Sequence, residues 1–205
     1  MRESKFDRIQ LDGGCHAFDF TNTINNRTIQ ANVDYVKSYD DVILWLYKTS
    51  LLPKKRIKML SQLADKNKED SDKAFKKVIL VREILYNLFS PIAKRKNPEI
   101  IVQEEFNKIL ATSFSKMRLS ISSLEPQVSF VDNDVSFDEP IRIIMKSAYD
   151  ILTTEKMERV KECPACGWLF IDRTKNGKRR WCNMNVCGSN DKAKRYYHRK
   201  KKTSV

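Results

Sequence analysis

The sequence predicts a mainly α-helical protein of the α+β class. We expect a helical N-terminal domain with one small β-hairpin at residues 1–155, and a compact cysteine-rich module at residues 156–205. Glycine is scarce: none of the five in this chain of 205 residues lies between Cys15 and Cys166, so this stretch lacks the residue that tight turns favour. Apolar residues in the same stretch recur at helical spacing. Four of the five cysteines fall within the 25 residues 163–187.

Five segments of the N-terminal domain have the spacing of amphipathic helices. They lie at residues 40–49, 53–65, 74–89, 99–114 and 141–152. Asp40 and Asp41 are positioned to cap the first helix, and Pro53 suits the first turn of the second. We expect the pair Ser90–Pro91 to kink or restart the third helix, and Asn97–Pro98 to end it.

A different pattern appears between residues 116 and 135. Met117, Leu119 and Ile121 alternate with polar residues, and the alternation returns at Val128 and Phe130. Strict alternation is typical of strands with one apolar face, so a short hairpin is predicted here.

Positive charge is concentrated in the last fifth of the chain. The net charge is +13, yet residues 163–205 contain twelve Lys and Arg against two Asp, and the rest is nearly balanced. A polyanionic partner is therefore expected for this segment alone. No stretch approaches the roughly 18 apolar residues of a membrane span, and the N-terminus is too charged for a signal peptide. We expect a cytoplasmic protein without membrane contact.

The cysteines have the spacing of a metal site. Cys163 and Cys166 form a Cys-x2-Cys pair, and after fifteen residues Cys182 and Cys187 form a Cys-x4-Cys pair. Two such pairs make a tetrahedral sulfur cage suited to Zn²⁺, and Gly167 lets the backbone turn around the metal. Four protein ligands leave no open position, so one structural zinc ion is predicted.

The sequence around the ligands predicts a treble-clef finger. Residues 168–171 read as a strand, Asn176–Gly177 as a tight turn and residues 178–181 as the returning strand. Ser189 is a suitable N-cap for a helix that begins just after Cys187. The nearby aromatic residues are expected to form the small core around zinc rather than to stack on bases; they are Trp168, Phe170, Trp181, Tyr196 and Tyr197.

Basic residues on the turn and the helix of this module would form one electropositive surface that fits duplex DNA. Asn190 could read an adenine edge. The predicted contacts are Lys178, Arg179, Arg180, Asn190, Lys192, Lys194, Arg195 and Arg199. Two alternatives remain open: an RNA- or ribosome-associated zinc protein, and a protein-interaction module that docks on an acidic protein without binding nucleic acid.

The C-terminal module resembles the CGNR-type zinc finger of bacteria. The resemblance rests on Phe170–Asp172, on the run RRWC that ends at Cys182, and on Cys187–Gly188 followed by KAKRY. In that family the finger follows an ABATE domain, described as a stress-induced transcription regulator, and FDFTNTINNR (18–27) and VREILYNLF (81–89) are similar to it. The resemblance implies transcription regulation. Where the family has Asn-Arg after Cys-Gly, this chain has Ser189–Asn190, so the arginine is absent.

The segment FDFTNTINNR is the main candidate site of the N-terminal domain. Its polar residues Asp19, Asn22, Thr23 and Arg27 either line a ligand pocket or cap and join helices. Arg82 lies among apolar neighbours on its helix, so we expect it to pair with Asp19 or to bind a small anionic effector.

The class of protein expected is a regulator and not an enzyme. The chain has two histidines, no phosphate-binding glycine loop and no nucleophile with an evident base. A single finger covers a short DNA footprint, which favours a homodimer formed through the N-terminal domain.

Overall fold

The structure, a computed structural model, describes residues 9–122, 124–130, 135–193 and 200. Helices dominate it, which confirms the predicted mainly α fold class. They are α1 (His16–Thr21), α2 (Tyr39–Thr49), α3 (Lys54–Lys66), α4 (Lys68–Ala93), α5 (Ile100–Phe114) and α6 (Glu139–Thr154). Among the described residues, no helix has the length and apolarity needed to cross a membrane.

Two small antiparallel hairpins complete the fold. The first pairs β1 (Met117–Ser122) with β2 (Glu125–Phe130), as the alternating pattern predicts. The second pairs β3 (Val160–Glu162) with β4 (Leu169–Ile171), and a 3₁₀ turn at Met157–Arg159 precedes it. A wide helical turn of the π type covers Met184–Gly188, and residues 189–193 continue as α-helix.

Helix α4 is the centre of the molecule. It contacts α1, α2, α3, α5 and α6, and also β3 and β4. Its buried face includes Val78, Leu85 and Phe89, and the ring of Phe89 meets that of Phe18 edge to face at 4.9 Å. Each fully buried side chain of this size contributes about 1.5–3 kcal/mol, so this face accounts for much of the stability of the fold.

The core continues across the predicted domain boundary. Val160, Leu169 and Ile171, from the second hairpin, are buried in the same apolar cluster as the N-terminal helices. The cysteines instead form a small cluster of their own with Phe170 and Trp181. The second hairpin therefore has one side in the main core and the other on the cysteine centre.

Two details of the helices differ from prediction. Ser38, not Asp40 or Asp41, caps α2, since its Oγ accepts the N–H of Asp41. Asp41 lies inside the first turn, where its carboxylate accepts the N–H of Lys37. Helix α4 does not restart at Ser90–Pro91 but continues to Ala93, because a proline in the last turn removes only one hydrogen bond of a helix that is about to end.

The finger also differs from prediction in two places. Strand β4 pairs with β3 before it and not with residues 178–181, which form no strand. Ser189 is not the N-cap, because the helical turn begins five residues earlier. Asn183 caps that turn, and its Oδ1 accepts the N–H groups of Asn185 and Val186.

Candidate metal centre

The four predicted ligands converge on one point. The sulfur atoms of Cys163, Cys166, Cys182 and Cys187 all lie within 4.8 Å of one another, and all four residues are buried. Three of the Sγ–Sγ distances are 3.6 Å (Cys166–Cys182), 3.7 Å (Cys182–Cys187) and 3.7 Å (Cys166–Cys187).

These distances fit zinc. Four sulfurs at about 2.3 Å from a tetrahedral Zn²⁺ stand about 3.8 Å apart, which is close to the separations observed. The donor set is all thiolate, a set that suits Zn²⁺ and leaves no position for water or substrate. One structural zinc ion therefore belongs at this centre, and its role is to hold the two cysteine pairs together.

The first cysteine pair is shaped by local backbone bonds. The N–H of Gly167 donates to the carbonyl oxygen of Cys163 at 2.8 Å, and the N–H of Cys163 donates to that of Trp168 at 2.8 Å. Gly167 has φ +72°, and a Cβ there would lie 3.0 Å from the Cβ of Arg27. The predicted role of this glycine is confirmed, because a residue with a side chain would be strained and crowded.

The loop after β4 is held by side chains instead of a strand ladder. The buried carboxylate of Asp172 accepts hydrogen bonds from Thr174 and from the N–H of Arg179. Burial raises the pKa of Asp172, but these hydrogen bonds outweigh it and hold the pKa below its ordinary value. The guanidinium of Arg159 donates to the carbonyl oxygens of Asp172 and Thr174, which fixes the other side of the loop.

Arg179, a predicted DNA contact, is a structural residue of the finger. Its guanidinium lies over the ring of Phe170 at 4.8 Å and donates to the carbonyl oxygens of Trp181 and Cys182. These bonds hold the backbone at the third zinc ligand. They also occupy donors that a phosphate would need, so Arg179 is a poorer candidate for DNA than its neighbours.

Of the other seven predicted DNA contacts, the structure describes four, and all four are exposed. Lys178, Arg180, Asn190 and Lys192 are exposed, and the guanidinium of Arg180 stacks on the Trp181 ring at 4.6 Å. Lys194, Arg195 and Arg199 lie outside the described residues, as do Tyr196 and Tyr197. Phe170 and Trp181 are buried around the cysteines, as predicted for the small core.

The segment FDFTNTINNR meets the finger directly. Helix α1 ends at Thr21, and beyond it Ile24 forms an isolated antiparallel bridge with Asp34. The indole N–H of Trp168 donates to the carbonyl oxygen of Ile24 at 2.7 Å. The N–H of Arg27 donates to the carbonyl oxygen of Cys166 at 2.8 Å.

Asn22 makes the most specific of these contacts. Its amide nitrogen donates to the carbonyl oxygen of Leu169 at 2.9 Å, and its Oδ1 accepts the N–H of Leu169 at 3.0 Å. One side chain thus pairs with β4 as a neighbouring strand would. The polar residues of this segment join elements, as one of the two sequence interpretations proposes, but they join the finger to α1 rather than helix to helix.

Arg82 does not pair with Asp19, so that prediction is wrong. Its guanidinium meets Asp34 at 2.6 Å and Glu83 at 2.9 Å, and it donates to Thr23 Oγ1 at 3.0 Å. The partner was unpredictable because Asp34 belongs to a loop that folds back beside α4.

Arg27 and Glu83 extend this polar network. Arg27 forms an ion pair with Glu83 at 2.8 Å and stacks on Tyr86 at 4.0 Å. Burial raises the pKa of Glu83, but Arg27 and Arg82 outweigh it and leave the pKa below its ordinary value. Two arginines and two carboxylates thus form one network between α4 and the segment beside the finger.

Asp19 lies apart from the arginines. It is buried, and its Oδ1 accepts the N–H of Gly13 at 2.9 Å. Burial raises the pKa of Asp19 to about 6, and the nearby Asp12 adds to the shift. A Cβ on Gly13 would lie 2.8 Å from the backbone nitrogen of Asp19, so a residue larger than glycine would disturb this contact.

A cleft of about 260 Å³ borders the cysteine centre. It is lined by Cys166, Cys182 and Cys187 on one side and by Asp12, Tyr35 and Trp168 on the other. Asn183 spans one end, where its amide donates to Gln10 and Asp12. The cleft therefore lies where the N-terminal segment and the finger meet.

Sequence reasoning missed the roles of several residues that shape the centre. Arg159 and Asp172 fix the loop after β4. Trp168 and Asn22 were singled out from the sequence, but their bonds between the finger and the N-terminal segment were not predicted. Asp172 alone had a local signal, since an aspartate before Arg-Thr is a common start of a turn. The others act on residues far away in the sequence.

Comparison with known proteins agrees with this geometry. Residues 159–200 match the model of the family described as CGNR zinc finger. No curated protein matches the chain. The C-terminal segment of this chain is thus similar to the CGNR zinc finger, and its four cysteines form the site of one structural zinc ion.

Proposed function

We propose that this protein is a cytoplasmic DNA-binding regulator of transcription, in which the zinc finger contacts DNA and no reaction is catalysed. The observation that carries the proposal is the exposed basic surface of a finger whose two cysteine pairs are held together by a structural metal ion. Lys178, Arg180 and Lys192 are exposed on it, and the zinc holds the loop and the helical turn that present them. Regulation itself is inferred from the resemblance to the ABATE and CGNR pattern at residues 18–27, 81–89 and 163–201.

Within the part of the finger that the structure describes, the aromatic side chains are engaged inside the protein, which supports duplex DNA over single-stranded RNA. Phe170 and Trp181 pack around the cysteines, and Trp168 is bonded to Ile24. Single-stranded RNA is recognised largely by stacking of bases on exposed aromatic rings. The described surface of the finger, at residues 159–193, offers exposed cations, which suit a phosphate backbone.

Fluorescence anisotropy with a labelled duplex tests the proposal. The zinc-loaded protein should bind with an affinity that falls by orders of magnitude between about 50 and 200 mM salt. Chelation of zinc should abolish binding, because the loop and the helical turn depend on the metal. Lys178→Gln and Lys192→Gln should each weaken binding several-fold, whereas Lys55→Gln, on the exposed face of α3, should not.

Three results would decide against the proposal. Tighter binding to a structured RNA than to the duplex at one salt concentration would favour an RNA-associated protein. No affinity for nucleic acid at physiological salt would favour a protein-interaction module. Cleavage of plasmid DNA in the presence of Mg²⁺ would make the protein a nuclease.

For the N-terminal domain we propose self-association rather than ligand sensing. The residues expected to line a ligand pocket already have partners within the protein, in the finger, on α4 and in neighbouring loops. The hairpin β1–β2, by contrast, presents Leu119, Ile121 and Val128 on one face, with 65%, 69% and 46% of their surface exposed. A second copy is the partner that suits this face, because two-fold pairing brings identical apolar faces together and gives two fingers to one DNA site.

Sedimentation measures this self-association. The protein should sediment as a dimer, and Leu119→Lys should shift it to the monomer without loss of helix content. Leu80→Lys, at an exposed apolar position on α4, is the matched control. A monomeric parent protein would refute the proposed dimer.

A further inference from the structure

The basic surface of the finger extends to the place where the finger meets the end of α4. This extension consists of two adjoining open clefts of about 330 and 320 Å³, which share Lys161 and Gly177. The first lies between Ala93 in the last turn of α4 and the finger loop 177–180. The second lies between Arg95, just after α4, and the residues Arg159 and Asn176. We call the two clefts together the junction groove.

Cations outnumber acids in the junction groove. Its walls contain Arg95, Arg159, Lys161, Lys178, Arg179 and Arg180, against Glu158 and Glu162. Glu162 is balanced by Lys94, whose ammonium lies 3.0 Å from its carboxylate. The groove therefore has a strong positive excess, although the N-terminal part of the sequence is nearly neutral.

Three of these cations hold the walls in place. Arg95 donates to the carbonyl oxygens of Met157 and Glu158, and Arg159 donates to those of the finger loop. Arg179 does the same at the third zinc ligand. Bonds to neutral carbonyl oxygens leave the guanidinium charge uncompensated, so these residues shape the groove and still contribute to its potential.

The remaining cations are available to a ligand. Within the described part of the chain, the ammonium groups of Lys161 and Lys178 make no hydrogen bond or ion pair, and Arg180 only stacks on Trp181. Lys161 lies on β3, whose backbone pairs with Phe170 of the finger, so its position is coupled to that of the zinc centre. Unpaired cations on a fixed, open surface attract a polyanion more than a small apolar ligand.

We propose that the junction groove binds backbone phosphates of the same DNA duplex that the finger holds. The footprint then extends from the finger onto β3 and the end of α4, and Lys161 is its central contact. This inference rests on the proposed DNA-binding function. A protein with one finger can then contact more DNA phosphates than the finger alone reaches, because the N-terminal domain supplies part of the binding surface.

The salt dependence of duplex binding tests the role of Lys161. We compare the zinc-loaded full chain with Lys161→Gln, Lys161→Arg and the matched control Lys55→Gln. Loss of one phosphate contact should lower the slope of log affinity against log salt by about 1 and weaken binding about five- to tenfold at 0.1 M salt. Lys161→Arg keeps the charge and should bind as the parent protein does.

The outcomes separate the two proposals. If the parent protein binds DNA and Lys161→Gln behaves as Lys55→Gln does, the junction groove is refuted while the finger's function stands. If the parent protein binds no duplex, both proposals fail together.

A measurement on the unchanged protein avoids any effect of mutation on folding. Acetylation of lysines is followed with and without the duplex. The duplex should protect Lys161 and leave Lys55 reactive. Equal reactivity of Lys161 in both samples, under conditions where the DNA is bound, would also overturn the inference.

Discussion

The side chain of Asn22 and the backbone of Leu169 form a two-bond pair that joins α1 to strand β4 of the finger. The bonds measure 2.9 and 3.0 Å, and both residues are buried. A single amide thus completes the outer edge of the second hairpin. The N-terminal segment and the zinc finger are consequently parts of one packed structure.

Replacement of Asn22 by Ala should destabilise the whole protein. It leaves both the N–H and the carbonyl oxygen of Leu169 buried without a partner, at a cost of about 1–3 kcal/mol for each group. Urea unfolding measures the loss of free energy of unfolding, and Asn97→Ala in an exposed loop serves as the control. An unchanged unfolding midpoint for Asn22→Ala would show that this pair contributes nothing to stability.

Removal of zinc should lower the stability of the N-terminal helices as well as that of the finger. Val160, Leu169 and Ile171 belong to the main core, and the backbone of Cys166 is bonded to Arg27. The helical signal near 222 nm should therefore melt in one transition whose midpoint falls on chelation or in Cys182→Ser. A helical transition whose midpoint does not change when zinc is removed would mean that the finger folds independently.

Replacement of Arg82 by Met should cost about 3–5 kcal/mol, the range for breaking a buried ion pair. The side chain of Arg82 is only 3% exposed, and its loss leaves Asp34 without its ion-pair partner and Glu83 with Arg27 alone. The double variant Arg82→Met/Asp34→Asn should recover part of this free energy, since it removes one of the unpaired charges. If the effect of the double variant equals the sum of the effects of Arg82→Met and Asp34→Asn measured singly, the two residues are not coupled and the ion pair makes no contribution of its own.

The free energy of unfolding should fall as the pH rises from about 4 to about 6, because Asp19 stays protonated in the folded protein over a range in which it ionises in the unfolded chain. Its pKa is about 6 in the folded protein against 3.8 ordinarily, so in this interval the folded state binds more protons than the unfolded state. A shift of this size corresponds to about 3 kcal/mol. Asp19→Asn removes the charge and should abolish this part of the pH dependence, as urea unfolding across the interval will show. A profile identical to that of the parent protein would assign the dependence to other groups.

The zinc ligands and the helices could be predicted because their signals are local. The spacing of Cys163, Cys166, Cys182 and Cys187 specifies a tetrahedral sulfur site whatever surrounds it, and Gly167 has the positive φ that this turn requires. The alternation at Met117–Ser122 similarly predicted a strand of the first hairpin. Details that depend on competition between neighbours were less predictable: Ser38 caps α2 and Asn183 caps the last turn, although other residues nearby could do either.

The sequence by itself determined the chemistry of the metal site, the apolar faces of the helices and the concentration of positive charge in residues 163–205. Each follows from residues a few positions apart, where chain geometry limits the possible arrangements. Only the tertiary structure decided the partners of the polar residues. Asn22 reaches Leu169 across 147 positions, Arg27 reaches Glu83 across 56 and Arg82 reaches Asp34 across 48. A buried polar group must find a partner, but which partner it finds depends on how the helices pack, and no local spacing encodes that.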